Sequence, residues 1–323
     1  MHKIIPDIEE KIEKTLKKLE LEPKDSPCQF IEKTGGNKHR YSSVCTNPQG
    51  KRVIFYARLH DNQDAKQKME RELSFFKSVI KQRFKASKFI PEVYLLKIEK
   101  DFEWLVRQYF TANPLGINEQ LNKKIEKKDA VLLAEAVCQI KDVPVPALKH
   151  VSLKKFSFKQ YLKSLDQIER LVKDNILTKK EARGITKLLE KNTALLKKEN
   201  RYFCHSDLNL GNIIISRGSV KIIDWESIQI NNLAYDISYM FCHLWQVKTG
   251  IRKTLIKTYF NLLCPEEKSI FERIFSIVIF YLATGAIDFI PPEVNTSVLK
   301  KRKEFFKKLL KKSCQGIEGL TEV

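Results

Sequence analysis

The sequence predicts an α+β fold of two lobes: a small antiparallel-sheet lobe over residues 1–112 and a mostly helical lobe over 113–323. Three observations carry this reading. Short strand-like runs with turn residues between them dominate the first third and stop at the break Asn113-Pro114-Leu115-Gly116. Helical spacing of apolar residues dominates the remainder. One strand–turn–strand unit interrupts those helices, and it is introduced by a loop dense in His, Asp and Asn, His205-Ser206-Asp207-Leu208-Asn209-Leu210-Gly211-Asn212.

Taken in order, Asp7 to Glu20 spaces Ile8, Ile12, Leu16 and Leu19 as one helical face, with Pro23 closing it. Gln29–Lys33, Arg40–Cys45 and Arg52–Leu59 read as strands, the last two joined by a Pro48-Gln49-Gly50 turn. Asp64 to Lys81 is helical, with Met69, Leu73, Phe76 and Ile80 on one face. Val93–Ile98 and Phe102–Phe110 complete five strands, and a hinge is expected over Thr111–Gly116. Helices follow at Ala130–Asp142, Phe158–Asp174 and Lys179–Asn200. After the interrupting hairpin come helices at Leu233–Thr249, Arg252–Leu263, Pro265–Phe289 and Val294–Lys312.

The loop and hairpin carry the chemistry. Ile213-Ile214-Ile215, a turn at Gly218 and Val220-Lys221-Ile222-Ile223-Asp224-Trp225-Glu226 fold Asp224 back beside Asp207 and Asn212. Phosphoryl transfer needs a carboxylate to orient and deprotonate the attacking hydroxyl. It also needs hard oxygen ligands to hold Mg2+ against nucleotide phosphates. Asp207 suits the first task, and Asn212 with Asp224 the second.

The pattern H-x-D-x-x-x-x-N followed by Asp-Trp-Glu resembles the aminoglycoside phosphotransferase and choline kinase superfamily. The likeness is strongest over Tyr202–Tyr239 and includes Tyr235-Asp236-Ile237-Ser238. It implies a protein-kinase-like fold and ATP-Mg2+-dependent phosphorylation of a hydroxyl on a small molecule, of aminoglycoside, choline or ethanolamine, sugar or amino-alcohol type. It further implies that the glycine loop Thr34-Gly35-Gly36-Asn37-Lys38 and a charged residue on the third strand hold the phosphates. Arg58 stands there in place of the usual Lys, with Lys51 or Lys38 as substitutes. Glu72, or next Glu70, is the acid on the following helix. By the same resemblance His205 structures the loop, Asp236 braces it through its backbone, and Trp245, His243, Tyr281 and Asp288 border the acceptor. That last group also suits a cationic acceptor. Glu226 either helps with the metal or turns to solvent. Two rival functions remain open: a catalytically impaired nucleotide-binding pseudokinase, and a protein kinase. Against the second, Leu233 follows Glu226 too closely for an activation segment.

Composition narrows the class. Lys+Arg 59 against Asp+Glu 39 gives a net charge of +20, but the lysines are spread along the chain and no nucleic-acid motif appears. They read as solvated surface, including the run Lys300-Lys301-Arg302-Lys303 on the last helix, whose apolar stripe is Val298, Leu299, Phe305, Phe306, Leu309 and Leu310. Seven cysteines without a C-x-x-C pair point to reduced thiols in the cytoplasm. The longest uncharged stretch, Ile274 to Ile287, is short of the roughly 20 residues that span a bilayer, so a buried helix is expected. The expected partner is a small-molecule hydroxyl acceptor, with no nucleic acid and no membrane span, on a monomer or homodimer.

Overall fold

The computed structural model describes residues 4–24, 40–59, 63–99, 102–117, 120–289 and 296–323. The chain divides into two compact units, one made of Met1–Arg83, Ile90–Thr111 and His150–Ser152, the other of Phe84–Phe89, Ala112–Lys149 and Leu153–Val323.

The first unit contains α1 (Ile4–Lys18), β1 (Glu22–Pro23), β2 (Arg40–Thr46), β3 (Arg52–Leu59), α2 (Gln63–Gln82), β4 (Val93–Ile98) and β5 (Phe102–Gln108). The strands form one antiparallel sheet in the order β1-β2-β3-β5-β4. Alternation along β3 explains its two faces. Val53, Phe55 and Ala57 join Tyr41, Phe102, Trp104 and Val106 in a core that also takes Ile12 and Leu16 of α1. Phe55 and Trp104 stack with ring centroids 6.1 Å apart. Removing a buried ring such as Phe55 costs about 3–5 kcal/mol. Tyr56 and Arg58 take the opposite face.

Two expectations for this unit change. Pro23 does not end α1. The helix ends in a left-handed residue, Glu20 at φ 51°, with Leu21 N–H bonded to Leu16 O at 3.0 Å and Glu20 N–H to Lys17 O at 3.1 Å. These paired bonds satisfy the last helical carbonyls. Pro23 then sits on the edge strand β1, where a missing N–H costs no ladder bond. On α2, Ile80 is 56% exposed, and Val79 with Phe75 takes the buried position instead. The expected strand Gln29–Lys33 lies outside the described residues.

The second unit contains β6 (Gly116–Ile117), β7 (Gln120–Leu121), α3 (Lys127–Lys141), β8 (Lys154–Lys155), α4 (Lys159–Leu165), α5 (Ile168–Lys173), α6 (Lys179–Lys198), β9 (Tyr202–Cys204), β10 (Ile213–Ser216), β11 (Ser219–Ile222) and β12 (Gln229–Asn231). It closes with α7 (Tyr235–His243), α8 (Thr249–Leu262), α9 (Pro265–Ala286), α10 (Thr296–Lys312) and α11 (Gly316–Thr321). β10 and β11 form the expected hairpin, with Arg217 at φ 47° and Gly218 at φ 75°, the paired positive angles of a tight two-residue turn. β12 lies between β8 and β9 in a three-stranded sheet.

The single helix expected over Phe158–Asp174 is two helices. The Ser164 hydroxyl bonds the Tyr161 carbonyl at 2.6 Å, competing for a backbone acceptor just before the break at Asp166-Gln167. The helix expected to reach Thr249 stops at His243. Arg252 draws the Leu244 and Val247 carbonyls onto its guanidinium and turns the chain there. α9 is long and apolar enough to cross a membrane, yet it is the core helix of this unit, with Phe271, Ile274, Phe275 and Val278 fully buried. α10 docks through Phe305, Phe306, Leu309 and Leu310. Arg302, expected in solvent, is 2% exposed and donates to the carbonyls of Ala286 and Phe289 at 2.8 and 3.0 Å. It serves the C-terminal end of α9.

Candidate active site

The loop between β9 and β10 is held by a carboxylate from the first turn of α7. Asp236 accepts from His205 N–H at 2.7 Å and from Ser206 N–H at 2.9 Å. Ser206 adopts φ 69°, and this left-handed step turns two successive N–H groups toward one anion. Burial pushes the Asp236 carboxyl up to about 7, while the two N–H donors pull the other way.

His205 is fully buried. Its Nε2 lies 3.2 Å from Ile223 O, and its Nδ1 accepts from Asp207 N–H at 3.3 Å. These partners fix the tautomer with the proton on Nε2. Burial drives its pKa down to about 3, with the Ile223 bond opposing, so the ring stays neutral. Trp225 stands edge-on at 4.6 Å and donates its own N–H to Ile222 O at 2.8 Å.

Asp207 is the most heavily bonded side chain of the loop. Oδ1 accepts from Asn209 Nδ2 and from the Tyr239 hydroxyl, both at 2.9 Å. Oδ2 accepts from Asn212 Nδ2 at 3.0 Å. Burial raises its pKa to about 6. The neighbouring Asp224 adds to the rise, and the Asn209, Tyr239 and Asn212 donors oppose it. Asn212 also donates to Asp207 O at 2.9 Å. With its NH2 used in these bonds, the amide oxygen is the atom a cation would meet.

The hairpin places the second acid. Ile213 pairs with Ile222, and Ile223 N–H bonds Asn212 O at 2.9 Å, so Asn212 and Asp224 stand together at the open end. Asp224 adopts φ 63°, ψ 68°, a left-handed conformation that Asp tolerates better than most residues. Two hard oxygen donors suit Mg2+, which few protein groups bind when phosphates complete the shell. Among the described residues no cluster of three or more His, Cys, Asp or Glu forms an all-protein metal cage.

A cavity of about 1020 Å³ opens beside this loop within the same unit. Asn209, Gly211 and Tyr239 line it, so two of the donors to Asp207 belong to its wall. Tyr235, Tyr281, Phe289 and Phe306 supply aromatic surface, and Gln160 and Gln167 supply amides.

The model of the phosphotransferase enzyme family matches residues 46–269. This chain belongs to that family. No curated protein sequence matches it significantly. Among solved structures it is similar to the ADP-bound aminoglycoside phosphotransferase APH(2'')-Ib, with 15% identity, TM-score 0.51, and 94% of this chain and 98% of that one covered. It is also similar to the choline kinase LicA from Streptococcus pneumoniae, at 17% identity and TM-score 0.51, covering 94% and 99%. The macrolide 2'-phosphotransferase MphH from Brachybacterium faecium gives 12% identity and TM-score 0.54, covering 94% and 98%. The fold is therefore protein-kinase-like, with an antiparallel-sheet N-terminal part and a mostly helical C-terminal part.

Within this phosphotransferase the structure brings Asp207, Asn212 and Asp224 together. In the sheet unit, Arg58 is 2% exposed and donates from Nη2 and Nε to the Tyr56 hydroxyl at 2.9 and 3.3 Å. Glu72 is buried at 5% exposure, whereas Glu70 is on the surface near Lys66. Gly35 and Gly36 lie outside the described residues. Glu226 is 7% exposed and does not turn to solvent. Of the expected acceptor residues, His243, Tyr281 and Asp288 line the cavity, and Trp245 does not. Asp288 is not a lone carboxylate, because Arg170 pairs with it at 2.6 Å.

Three residues escaped the sequence reading. Tyr239 sits three positions after Asp236 on α7, a helical spacing that could have pointed to the loop. Asn209 lies inside the motif but had no assigned task. Glu103 faces Arg58 in the β3–β5 register and is fully buried, a pairing that no sequence pattern exposes.

Proposed function

We propose that this protein transfers the terminal phosphoryl group of ATP to a hydroxyl of a small molecule. The observation that carries the reading is the Asp207 carboxylate, held by Asn209, Asn212 and Tyr239 at the edge of a cavity of about 1020 Å³. Asp207 orients the acceptor hydroxyl and takes its proton as the phosphorus–oxygen bond forms. Its raised pKa of about 6 leaves it ionised at neutral pH while keeping it a competent base. Tyr239 and Asn209 fix the carboxylate's rotamer, which sets the line of approach. Asp236 and His205 hold the backbone on which Asp207 stands. Asn212 and Asp224 are the ligands for Mg2+, which when bound neutralises charge on the nucleotide phosphates. Arg58 and Glu72 are assigned to the phosphate side of the nucleotide, and so is the Gly35-Gly36 loop. The similarity to an ADP-bound aminoglycoside phosphotransferase, a choline kinase and a macrolide phosphotransferase supports this reading. A reducing compartment, the cytoplasm, accords with the free thiols of the six described cysteines.

A second reading, a nucleotide-binding protein with weakened catalysis, is favoured by Arg58 alone. Its guanidinium is buried and engaged with Tyr56, so a phosphate must compete for it. A protein substrate is disfavoured. Between Asp224 and α7 the chain is occupied by the short turn Trp225–Ser227 and by β12, with no free segment for a peptide to dock on.

The test is ATP consumption across aminoglycosides, choline, ethanolamine, sugars and amino alcohols, together with calorimetry of ATP binding with and without Mg2+. Acceptor-dependent turnover is expected, along with Mg2+-strengthened ATP binding that Asp224→Ala abolishes. ATP binding that ignores Mg2+ in parent and variant alike would overturn the metal assignment. Tight ATP binding without turnover on any acceptor would favour the second reading.

A further inference from the structure

The cavity beside the catalytic loop has a charge pattern that bears on the acceptor, and its meaning for substrate choice rests on the phosphotransferase reading. Among the described residues lining it, the charged side chains are Lys163, Arg170, Arg302 and Asp288. Three are cations and one is an acid. The acid is already paired, with Asp288 Oδ2 2.6 Å from Arg170 Nη1. Arg170 is further steadied by Gln167 Oε1, which accepts from its Nε at 3.0 Å. Arg302 is engaged with the carbonyls that end α9, so it is not a free ligand, but its charge remains and offsets the negative helix end there. Lys163 is exposed on α4 and borders the same space.

An amine-rich acceptor needs carboxylates to replace its lost hydration, and among its described lining residues the cavity supplies only one, already committed. A carboxylate or phosphate would meet Lys163 and the N–H groups of the Arg170 guanidinium that Asp288 and Gln167 leave over. The rest of the wall suits a hydroxylated ring: Tyr235, Tyr239 and Tyr281 offer flat faces, and Gln160, Gln167 and Asn209 offer amide donors and acceptors. The overall charge of +20 favours the approach of an anion as well.

We propose that the acceptor is a hydroxylated compound carrying an anionic group, and that Lys163 and Arg170 recognise that group. The hydroxyl presented to Asp207 and the anion held at Lys163 then lie at separate parts of one molecule. Charge selection is made at the cation pair, away from the reacting oxygen. Asp288 tunes this selection by occupying part of Arg170.

The experiment is calorimetry on the full chain with five probes: glucose 6-phosphate, glucuronate, glucose, choline and kanamycin. ATP-Mg2+ binding and melting curves are measured on the same preparations. At least one of the two anionic probes is expected to bind, more tightly than glucose by roughly tenfold, with choline and kanamycin weaker still. Comparing glucose 6-phosphate with glucuronate separates phosphate from carboxylate. Lys163→Glu should weaken the anionic probe by roughly tenfold, and Asp288→Asn should strengthen it severalfold by releasing Arg170. Opposite shifts from two variants that melt like the parent are not what a structural role gives. The proposal is overturned if choline or kanamycin binds more tightly than both anions, if neither anion binds, or if Lys163→Glu leaves the anion affinity unchanged. If ATP-Mg2+ binds while the anions fail, this inference alone falls. If ATP does not bind, the phosphotransferase reading beneath it falls.

Discussion

The loop of the helical unit and the sheet of the first unit both bury charge, and they manage it in opposite ways. In the loop, Asp207 and Asp236 are held by neutral donors: backbone N–H groups, side-chain amides and a phenol. Burial pushes both upward, to about 6 and about 7. In the sheet, Arg58 stands across from Glu103 in the β3–β5 register, and both are buried. Opposite charges there are built into the strands. The contrast marks where the protein keeps charge for use. A carboxylate steadied by neutral groups retains its affinity for a proton or a cation. A charge facing its opposite inside a sheet is committed first to the fold, so a ligand for Arg58 has to compete with that partner.

That contrast predicts a graded set of stability effects. The largest belongs to the sheet. Glu103→Ala removes the opposite charge from across Arg58 and should cost about 3–5 kcal/mol, read as a lowered urea midpoint. A midpoint that does not move would show that Arg58 does not depend on its cross-strand neighbour. Asp236→Asn comes next. It puts an NH2 against one of two N–H donors, and losing one charge-assisted bond should cost about 1.5–3 kcal/mol and lower kcat, with Asp236→Glu no substitute because its longer stem misses the pair. Unchanged melting in the Asn variant would remove Asp236 from its bracing role.

His205 gives a pH-dependent effect that is small near neutral pH and grows on acidification. Above about 6.5 neither the folded nor the unfolded chain carries its proton. Below that, the unfolded chain takes up a proton that the folded one refuses until about 3. The contribution of His205 to stability should therefore fall as pH drops through this window, by up to about 1.4 kcal/mol per unit, while Asp207 and Asp236, whose carboxyls are raised in the folded chain, act with the opposite sign. His205→Gln should remove that contribution, so the variant gains stability relative to the parent as pH falls below about 6.5, and parallel pH profiles in the two proteins would count against a buried neutral ring.

Much of this was legible in the residues, for identifiable reasons. β3 was bounded correctly because β-branched and aromatic residues fill Arg52–Leu59 directly after the Pro48-Gln49-Gly50 turn. The hairpin was legible because Gly218 and three consecutive isoleucines admit few other shapes. Asp207 and Asn212 of the loop and Asp224 beyond the hairpin come together as read, because the hairpin register returns the chain to the loop. What escaped depended on tertiary partners. Pro23 read as a helix stop, yet a left-handed Glu20 ended α1 three residues earlier. Arg302 looked like one more solvated base, yet a distant helix end claimed it. Asp288 looked available to an acceptor, yet Arg170 from α5 reached it first. Glu103 carries no pattern of its own, and only strand register sets it against Arg58.

The smallest stability effect of all is expected at Asp207, and it accompanies the largest loss of function. Asp207→Asn keeps the side chain's shape and removes the base. The decisive experiment is transfer of labelled γ-phosphate from ATP to a metabolite library, followed on the parent and the Asn variant with melting curves on the same preparations. Removing a positioned base is worth roughly 10²–10⁴-fold in rate. The expected result is a labelled metabolite from the parent, a loss of that order in the variant, and melting temperatures and ATP affinities that nearly coincide. Equal transfer by both proteins, or a variant that fails only because it unfolds, would contradict the assignment of Asp207 as the base.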